Sequence, residues 1–208
     1  VQGLLPVNFW TLHSFQLGAA ADMLLFLRVL GQRSAALRHA ASEAMRERDT
    51  MRSLAYTDSL TGLCNRRGMQ MALQSALAQA SPQRLVALYL MDLDGFKPVN
   101  DTYGHDVGDD LLVQIAQRLR GIVRDRDTVS RLGGDEFVLL LPGANAHGAA
   151  RVAGKLQEAA RVPYQIGHHE LTMAPSMGIA LFPDDGADFE TLTQSADTAM
   201  YRAKRCLL

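Results

Sequence analysis

The hydrophobic pattern changes character twice along the chain. From Phe9 to Leu30 large apolar residues dominate and charges are few; from Gln32 to Ala55 the chain is rich in Ala, Arg, Glu and Met and lacks Pro and Gly. After Tyr56, short apolar runs and amphipathic stretches take turns. The first stretch is long enough to cross a bilayer core of roughly 30 Å at about 1.5 Å per residue. Asp22 lies within it, where a carboxylate costs on the order of 2.5–3.5 kcal/mol unless it faces other helices, so an amphipathic dimer helix competes with a membrane span. The second stretch predicts a helix by propensity. Its positions Leu30, Ser34, Leu37, Ala41, Ala44, Arg48, Met51 and Ala55 follow four-and-three spacing. That is a coiled-coil seam interrupted by Ser34 and Arg48, or a solvated linker helix.

Beyond Tyr56 the periodicity predicts a helix from about Arg67 to Ala80, a strand from Leu85 to Asp92 and a helix from about Gly108 to Val123. A hairpin follows, with Thr128 to Leu132 and Phe137 to Leu141 as its arms and Gly133-Gly134 supplying the positive φ of a tight turn. Then come a helix from about Ala146 to Ala160, strand material in Tyr164 to Ile166, Glu170 to Ala174 and Ser176 to Phe182, and a helix from about Phe189 to Lys204. Alternating strands and helices predict an α/β (α+β) domain in which helices cover one sheet. Leu111, Leu112, Ile115, Leu119 and Ile122 recur at helical spacing and are assigned to the core.

Composition narrows the function classes. The chain has 208 residues, a net charge of −1 and scattered basic residues, which argues against a nucleic-acid partner. The local exception runs from Arg28 to Arg52; if the preceding segment spans a bilayer, these arginines place everything downstream in the cytoplasm. Cys64 and Cys206 offer neither a disulfide framework nor metal-ligand spacing and fit a reducing compartment. The expected organisation is a transmembrane or amphipathic helix over 1–31, a signalling or coiled-coil helix over 32–56 and an α/β domain over 57–208. A start at Val1 in apolar sequence reads as a fragment of a longer protein.

Candidate chemistry concentrates in two places. The apolar run Leu85 to Met91 ends in Asp92-Leu93-Asp94-Gly95-Phe96-Lys97, a buried strand opening into a loop where α/β sheets place ligands. Asp92 and Asp94, two apart, point to the same face of a strand. The Gly133-Gly134 turn delivers a second acidic pair, Asp135 and Glu136. Clustered carboxylates repel one another without a cation, and hard oxygen ligands suit Mg²⁺, with Mn²⁺ as an alternative. Gly95 would let loop amides approach a phosphate, although a loop glycine is more often only a turn.

The ordered series identifies a family. Asp58-Ser59-Leu60-Thr61-Gly62-Leu63-Cys64-Asn65-Arg66-Arg67 resembles the opening motif of GGDEF diguanylate cyclases, and Asp92 through Asp109 resembles their metal and guanine segment. Gly133 to Phe137 is similar to the motif that names the family, and Ala196 to Lys204 to its terminal helix. More loosely, Asn8-Phe9-Trp10 with His13-Ser14 and Leu17-Gly18 resembles the last span of the seven-helix sensory modules often fused to such domains.

The resemblance implies a mainly antiparallel central sheet flanked by helices, related to nucleotide cyclases and polymerase palm domains. It also implies condensation of two GTP into cyclic di-GMP across a homodimer, at a bacterial inner membrane with the catalytic domain in the cytoplasm. By the same resemblance Asp92, the carbonyl of Leu93 and Asp135 are metal ligands, and Glu136 is the proton acceptor and a further metal ligand. Lys97 stabilises phosphate charge, Lys204 adds a phosphate contact, and Gly95 and Phe96 belong to the phosphate loop. Asn100 and Asp109 read guanine, with His105 as a third substrate contact. Asp109 could instead serve only the amino end of its helix. Arg124 and Asp127 match an Arg-x-x-Asp product-inhibition site, against the plainer reading of a solvated, salt-bridged turn. One departure stands out: after Lys204 the family continues through a turn into a last strand, whereas this chain reads Arg205-Cys206-Leu207-Leu208, as though truncated.

Overall fold

The computed structural model describes residues 9–81 and 85–206. Asn8 of the sensory-module pattern, the rest of 1–8, and the Leu207-Leu208 end lie outside the described residues. Two compact units emerge, Val1–Arg52 and Ser53–Leu208.

Helix α1 (Phe9–Tyr56) is 48 residues long and continues through Gly31, where the sequence reading put a boundary. Three hydroxyls bond back onto the helix itself: Ser34, Ser42 and Thr50 donate to the carbonyls of Gly31, His39 and Arg46. Met23 to Leu27, Val29 and Leu30 are all exposed, as are Leu37 and Met51 of the expected seam. No helix among the described residues is long and apolar enough to cross a membrane. The span expected over Phe9 to Leu30 therefore has no support in the fold, and Asp22 and Arg28 lie exposed within that stretch.

In the second unit α2 (Arg66–Leu77) is followed by β1 (Val86–Asp94), α3 (Phe96–Tyr103), α4 (His105–Ile122), β2 (Thr128–Gly133) and β3 (Glu136–Pro142). Then come α5 (Ala146–Arg161), β4 (Tyr164–Ile166), β5 (His169–Leu171), β6 (Ala174–Phe182) and α6 (Phe189–Cys206). The main sheet has the order β2-β3-β1-β6, and every neighbouring pair is antiparallel. The central strand explains its own apolar run. Ala87, Tyr89, Met91 and Leu93 face a cluster containing Leu111, Ile115 and Leu119 of α4 and Leu156 of α5. Val86, Leu88 and Leu90 face Met69 and Leu73 of α2 and Leu192, Ala196 and Met200 of α6. With both faces covered, alternation disappears from the strand.

Two close approaches set the layers. A Cβ on Gly178 of β6 would lie 1.8 Å from the carbonyl oxygen of Ala196, so α6 rests directly on strand backbone there. Arg118 of α4 donates to the carbonyls of Ala159, Val162 and Pro163 and stacks 3.7 Å from the centre of the Tyr164 ring, which locks α4 to the end of α5.

The structure departs from the sequence reading after β1. The expected loop holds a short helix, α3, that begins at once after Gly95 at φ 81°. Pro98 falls in its first turn, where the missing N–H has no intrahelical acceptor to lose. Helix α4 starts at His105 rather than near Gly108. Gly108 is instead where α4 meets α3: an added Cβ would lie 1.9 Å from Asn100 Oδ1. The strand material expected through Ala174 divides, because β5 pairs with β4 in a separate hairpin while Ala174 opens β6.

Candidate functional site

The acidic end of the sheet is built by strand register. Asp92 of β1 stands directly opposite Glu136 of β3, and Asp135 precedes it on the turn. Pairing of β1 with β3 stops at Asp92, whereas pairing with β6 continues to Asp94. On its β3 side Leu93 thus has no strand partner among the described residues, while its side chain is buried in the core.

Lys204 of α6 closes this end. Its ammonium lies 2.8 Å from Asp92 Oδ1 and 3.0 Å from Asp94 Oδ1, and Ser176 donates to Asp94 Oδ2 at 2.5 Å. Burial works against the lysine's charge, but the hydrogen bonds and negative charges of Asp92 and Asp94 outweigh it and raise the pKa above the ordinary lysine value. The expected phosphate contact is therefore, in this structure, the counter-ion of the expected metal ligand.

The Gly133-Gly134 turn has φ 148° and 54° at its glycines. Among the described residues Asp135 and Glu136 form no side-chain hydrogen bond or ion pair. Glu136 is exposed as expected of a tip residue, but Asp135 is half-buried. Glu136 also lines a groove of about 380 Å³, bounded by Arg66, Leu90, Leu132 and the first turns of α6. Arg131, which the sequence reading passed over, donates through Nε to the Gly134 carbonyl at 2.8 Å and pairs with Asp58 at 3.2 Å. Its partner is 73 residues away, so no local pattern could announce it.

Helices α3 and α4 carry the expected base-reading set. Lys97 is exposed in the first turn of α3, and His105 and Asp109 are exposed on α4. Asp109 lies a full turn inside α4; the first-turn acid is Asp106, so the helix-end role weighed for Asp109 falls to its neighbour. Asn100 Oδ1 is buried against Gly108 and has no hydrogen-bond partner among the described residues. Such an atom is costly, and a site that tolerates it is consistent with a ligand or water completing the set. Phe96 is buried and belongs to the packing beneath this set, and Gly95 is exposed beside it. Tyr103 meets His169 of the β4–β5 hairpin with ring centres 4.8 Å apart, a neighbour the sequence did not announce.

Arg124 and Asp127 share a closed turn: the Asp127 N–H donates to the Arg124 carbonyl, and Asp127 Oδ2 accepts from the Arg124 N–H, both at 2.9 Å. No ion pair joins the arginines and aspartates of this run among the described residues; these hydrogen bonds, not salt bridges, close the turn. The Arg124 side chain is exposed at a cavity of about 360 Å³ that also touches Cys64, Arg120, Asp125 and Asp127. Burial raises the Cys64 thiol above its usual pKa, although the Arg120 charge opposes it.

Comparison with known proteins follows the same outline. Residues 55–206 match the family described as diguanylate cyclase, GGDEF domain. The chain belongs to the GGDEF family. It is 49% identical over 152 residues to the bifunctional diguanylate cyclase/cyclic di-GMP phosphodiesterase MucR of Pseudomonas aeruginosa, covering 73% of this chain and 22% of that protein. It is 42% identical to the diguanylate cyclase TpbB of Pseudomonas aeruginosa, covering 73% of this chain and 35% of that protein. The chain thus spans between about a fifth and a third of these curated relatives. Among solved structures, the coiled coil and GGDEF domain of DgcB from Caulobacter crescentus, in complex with c-di-GMP, superposes with a TM-score of 0.72 at 27% identity, covering 83% of this chain and 94% of that one.

The GGDEF signature of this chain suits a hard divalent cation. Among the described residues no three His, Cys, Asp or Glu side chains gather into a ready-made metal cage. Mg²⁺ does not need one, since it binds through one or two carboxylates and completes its shell with water and substrate phosphates. Asp92 and Glu136 stand opposite each other with Asp135 next in the chain, and Asp92 already draws an ammonium, so this end of the sheet offers oxygen donors of the kind that suit such a cation.

Proposed function

We propose that this GGDEF domain is a diguanylate cyclase that condenses two GTP into cyclic di-GMP and two pyrophosphates. The observation that carries this reading is the register placing Asp92 opposite Glu136, with Asp135 on the adjoining turn, at the open end of the sheet. In each half-reaction the 3′-hydroxyl of one GTP attacks the α-phosphorus of the other. A bond forms between O3′ and phosphorus, the bond to pyrophosphate breaks, and the hydroxyl proton passes to Glu136. Asp92, the Leu93 carbonyl, Asp135 and Glu136 would hold Mg²⁺ or Mn²⁺, which supplies charge stabilisation at the phosphates when bound. Lys97 meets phosphate from the first turn of α3, next to Gly95. Lys204 reaches phosphate by exchanging its carboxylate partners for it.

Asn100 and Asp109 select guanine: a carboxylate accepting from N1–H and N2–H and an amide donating to N3 or O6 leave adenine's edge unpaired, with His105 alongside. The product acts back through Arg124 and Asp127, whose guanidinium and carboxylate can take phosphate and guanine. Two chains must meet, because each holds one GTP, and the exposed apolar residues of α1 offer the surface for a homodimer. The domain works in the cytoplasm, where GTP is available, beside the inner membrane if α1 is continued by an anchor.

A second reading draws on Lys204, which already neutralises Asp92 and Asp94: a GGDEF nucleotide-binding and dimerisation module of low activity. Incubation of the protein with GTP and Mg²⁺, followed by mass spectrometry for cyclic di-GMP, separates the two. Product formed over many turnovers supports the cyclase; bound GTP without product supports the module.

A further inference from the structure

The guanidinium of Arg131 connects two parts of the molecule. Its Nε–H donates to the Gly134 carbonyl at 2.8 Å, and Nη1 donates to both oxygens of Asp58 at 3.2 and 3.3 Å. Only 11% of the side chain is exposed. Asp58 is itself held: Oδ1 accepts from the Thr61 N–H at 2.9 Å and hydroxyl at 2.6 Å, and the Asp58 N–H donates to the Leu63 carbonyl at 2.8 Å. The same loop grips the last turn of α1. Asn65 Nδ2 donates to the carbonyls of Ala55 and Thr57 at 3.1 and 3.2 Å, while Asn65 Oδ1 caps α2 by accepting from the Gly68 N–H. Gly68 lies so close beneath this end that an added Cβ would be 2.4 Å from the Tyr56 carbonyl oxygen.

Strand pairing holds the signature turn at Glu136, which is paired with Asp92 and Gly133, and the Arg131 side chain adds a hold at Gly134. Strand β2 loses register between Arg131 and Gly133. The two glycines that follow carry positive φ and constrain the backbone weakly. Arg131 thus joins the turn, through a contact three residues along the chain, to Asp58 73 residues away.

We propose that Arg131 is a positioning residue of the reaction: the strap Asp58–Arg131–Gly134 sets where Asp135 stands relative to Asp92 and ties that position to the end of α1. The catalytic consequence rests on Asp135 being a metal ligand, as read above. Lysine cannot replace the strap, because one ammonium lacks the planar fork that serves a carboxylate and a carbonyl together.

The test uses the full chain and two variants, Arg131→Lys, which keeps the charge, and Asp58→Asn, which keeps the shape. Hydrogen exchange without ligand is expected to show the amides of Gly133 to Glu136 exchanging about tenfold faster in Arg131→Lys, as loss of a charge-assisted hydrogen bond implies, while the amides of the β1 core stay unchanged. Asp58→Asn moves the same amides less, and it carries the test alone if the lysine variant does not fold. In turnover, Arg131→Lys is expected to lower kcat by about 10²-fold. It also raises the Mg²⁺ concentration for half-maximal activity, while KM for GTP stays within about twofold because the base-reading helices are untouched. Unchanged exchange at the turn in both variants overturns the strap. So does a fall in Tm with kcat and KM moving together at unchanged Mg²⁺ dependence, the mark of a merely structural residue. If the parent makes no cyclic di-GMP yet the turn loosens as described, the cyclase reading fails and the strap stands.

Discussion

At the scale of single residues, the site separates side chains that do chemistry from those that hold them. The Asp135 and Glu136 side chains form no hydrogen bond among the described residues, so Asp135→Asn or Glu136→Gln is expected to cut turnover by at least about 10²-fold with Tm nearly unchanged. A coupled assay for released pyrophosphate beside a thermal melt checks both halves of that statement. Asn100→Ala and Asp109→Ala are each expected to reduce the preference for GTP over ATP by about tenfold or more, since each removes a proposed polar partner of guanine. Competition between the two nucleotides measures it, and an unchanged ratio in both variants places the base elsewhere.

Asp58 has a signature in pH. Its burial would raise the carboxyl, but the Thr61 hydroxyl, the Thr61 N–H and Arg131 together hold it below the usual aspartate value. A depressed carboxyl contributes stability that is complete above its unfolded pKa of about 3.9 and is lost as pH falls through the lower folded value. Urea midpoints measured from pH 6 downward should therefore fall less steeply below about pH 4 in Asp58→Asn than in the parent.

At the scale of elements, glycines decide how closely helices approach. Gly178→Ala puts a Cβ 1.8 Å from the Ala196 carbonyl, and backbone on both sides cannot yield without moving α6 off β6. A loss of about 2–3 kcal/mol in urea unfolding is expected from such overpacking. Lys204 rides on the same helix, so its contacts with Asp92 and Asp94 should loosen too. Gly108→Ala meets the Asn100 side chain rather than backbone. It should therefore cost less stability but displace the amide proposed to read the base, raising KM for GTP with little change in Tm. The order of elements was readable in advance from apolar periodicity, and the boundaries of β1, the hairpin, α5 and α6 fell within a few residues of expectation. Helix α3 was not readable, because eight residues with Pro98 near the start and glycines at both ends carry no periodic signal.

At the scale of the whole molecule, the proposed condensation of two GTP requires two such sites to meet. The exposed apolar side chains of α1 make it the expected dimer element. A protein limited to Ser53–Leu208 should lose specific activity on dilution while the full chain keeps it, as expected when association becomes bimolecular and unassisted. Equal activity of both at high dilution would remove α1 from that role.

The one-dimensional pattern determined the α/β order, the apolar central strand and the presence of the signature acids, because periodicity and turn chemistry act locally. It also carried enough ordered motif to identify the family. Tertiary structure alone decided what those groups touch. The Asp92–Glu136 register depends on which strands neighbour β1. The Lys204 contact depends on α6 folding back across 112 residues, and the Arg131–Asp58 pair on 73. These partners are chosen by packing at long separation, where neither composition nor spacing holds a record of the contact.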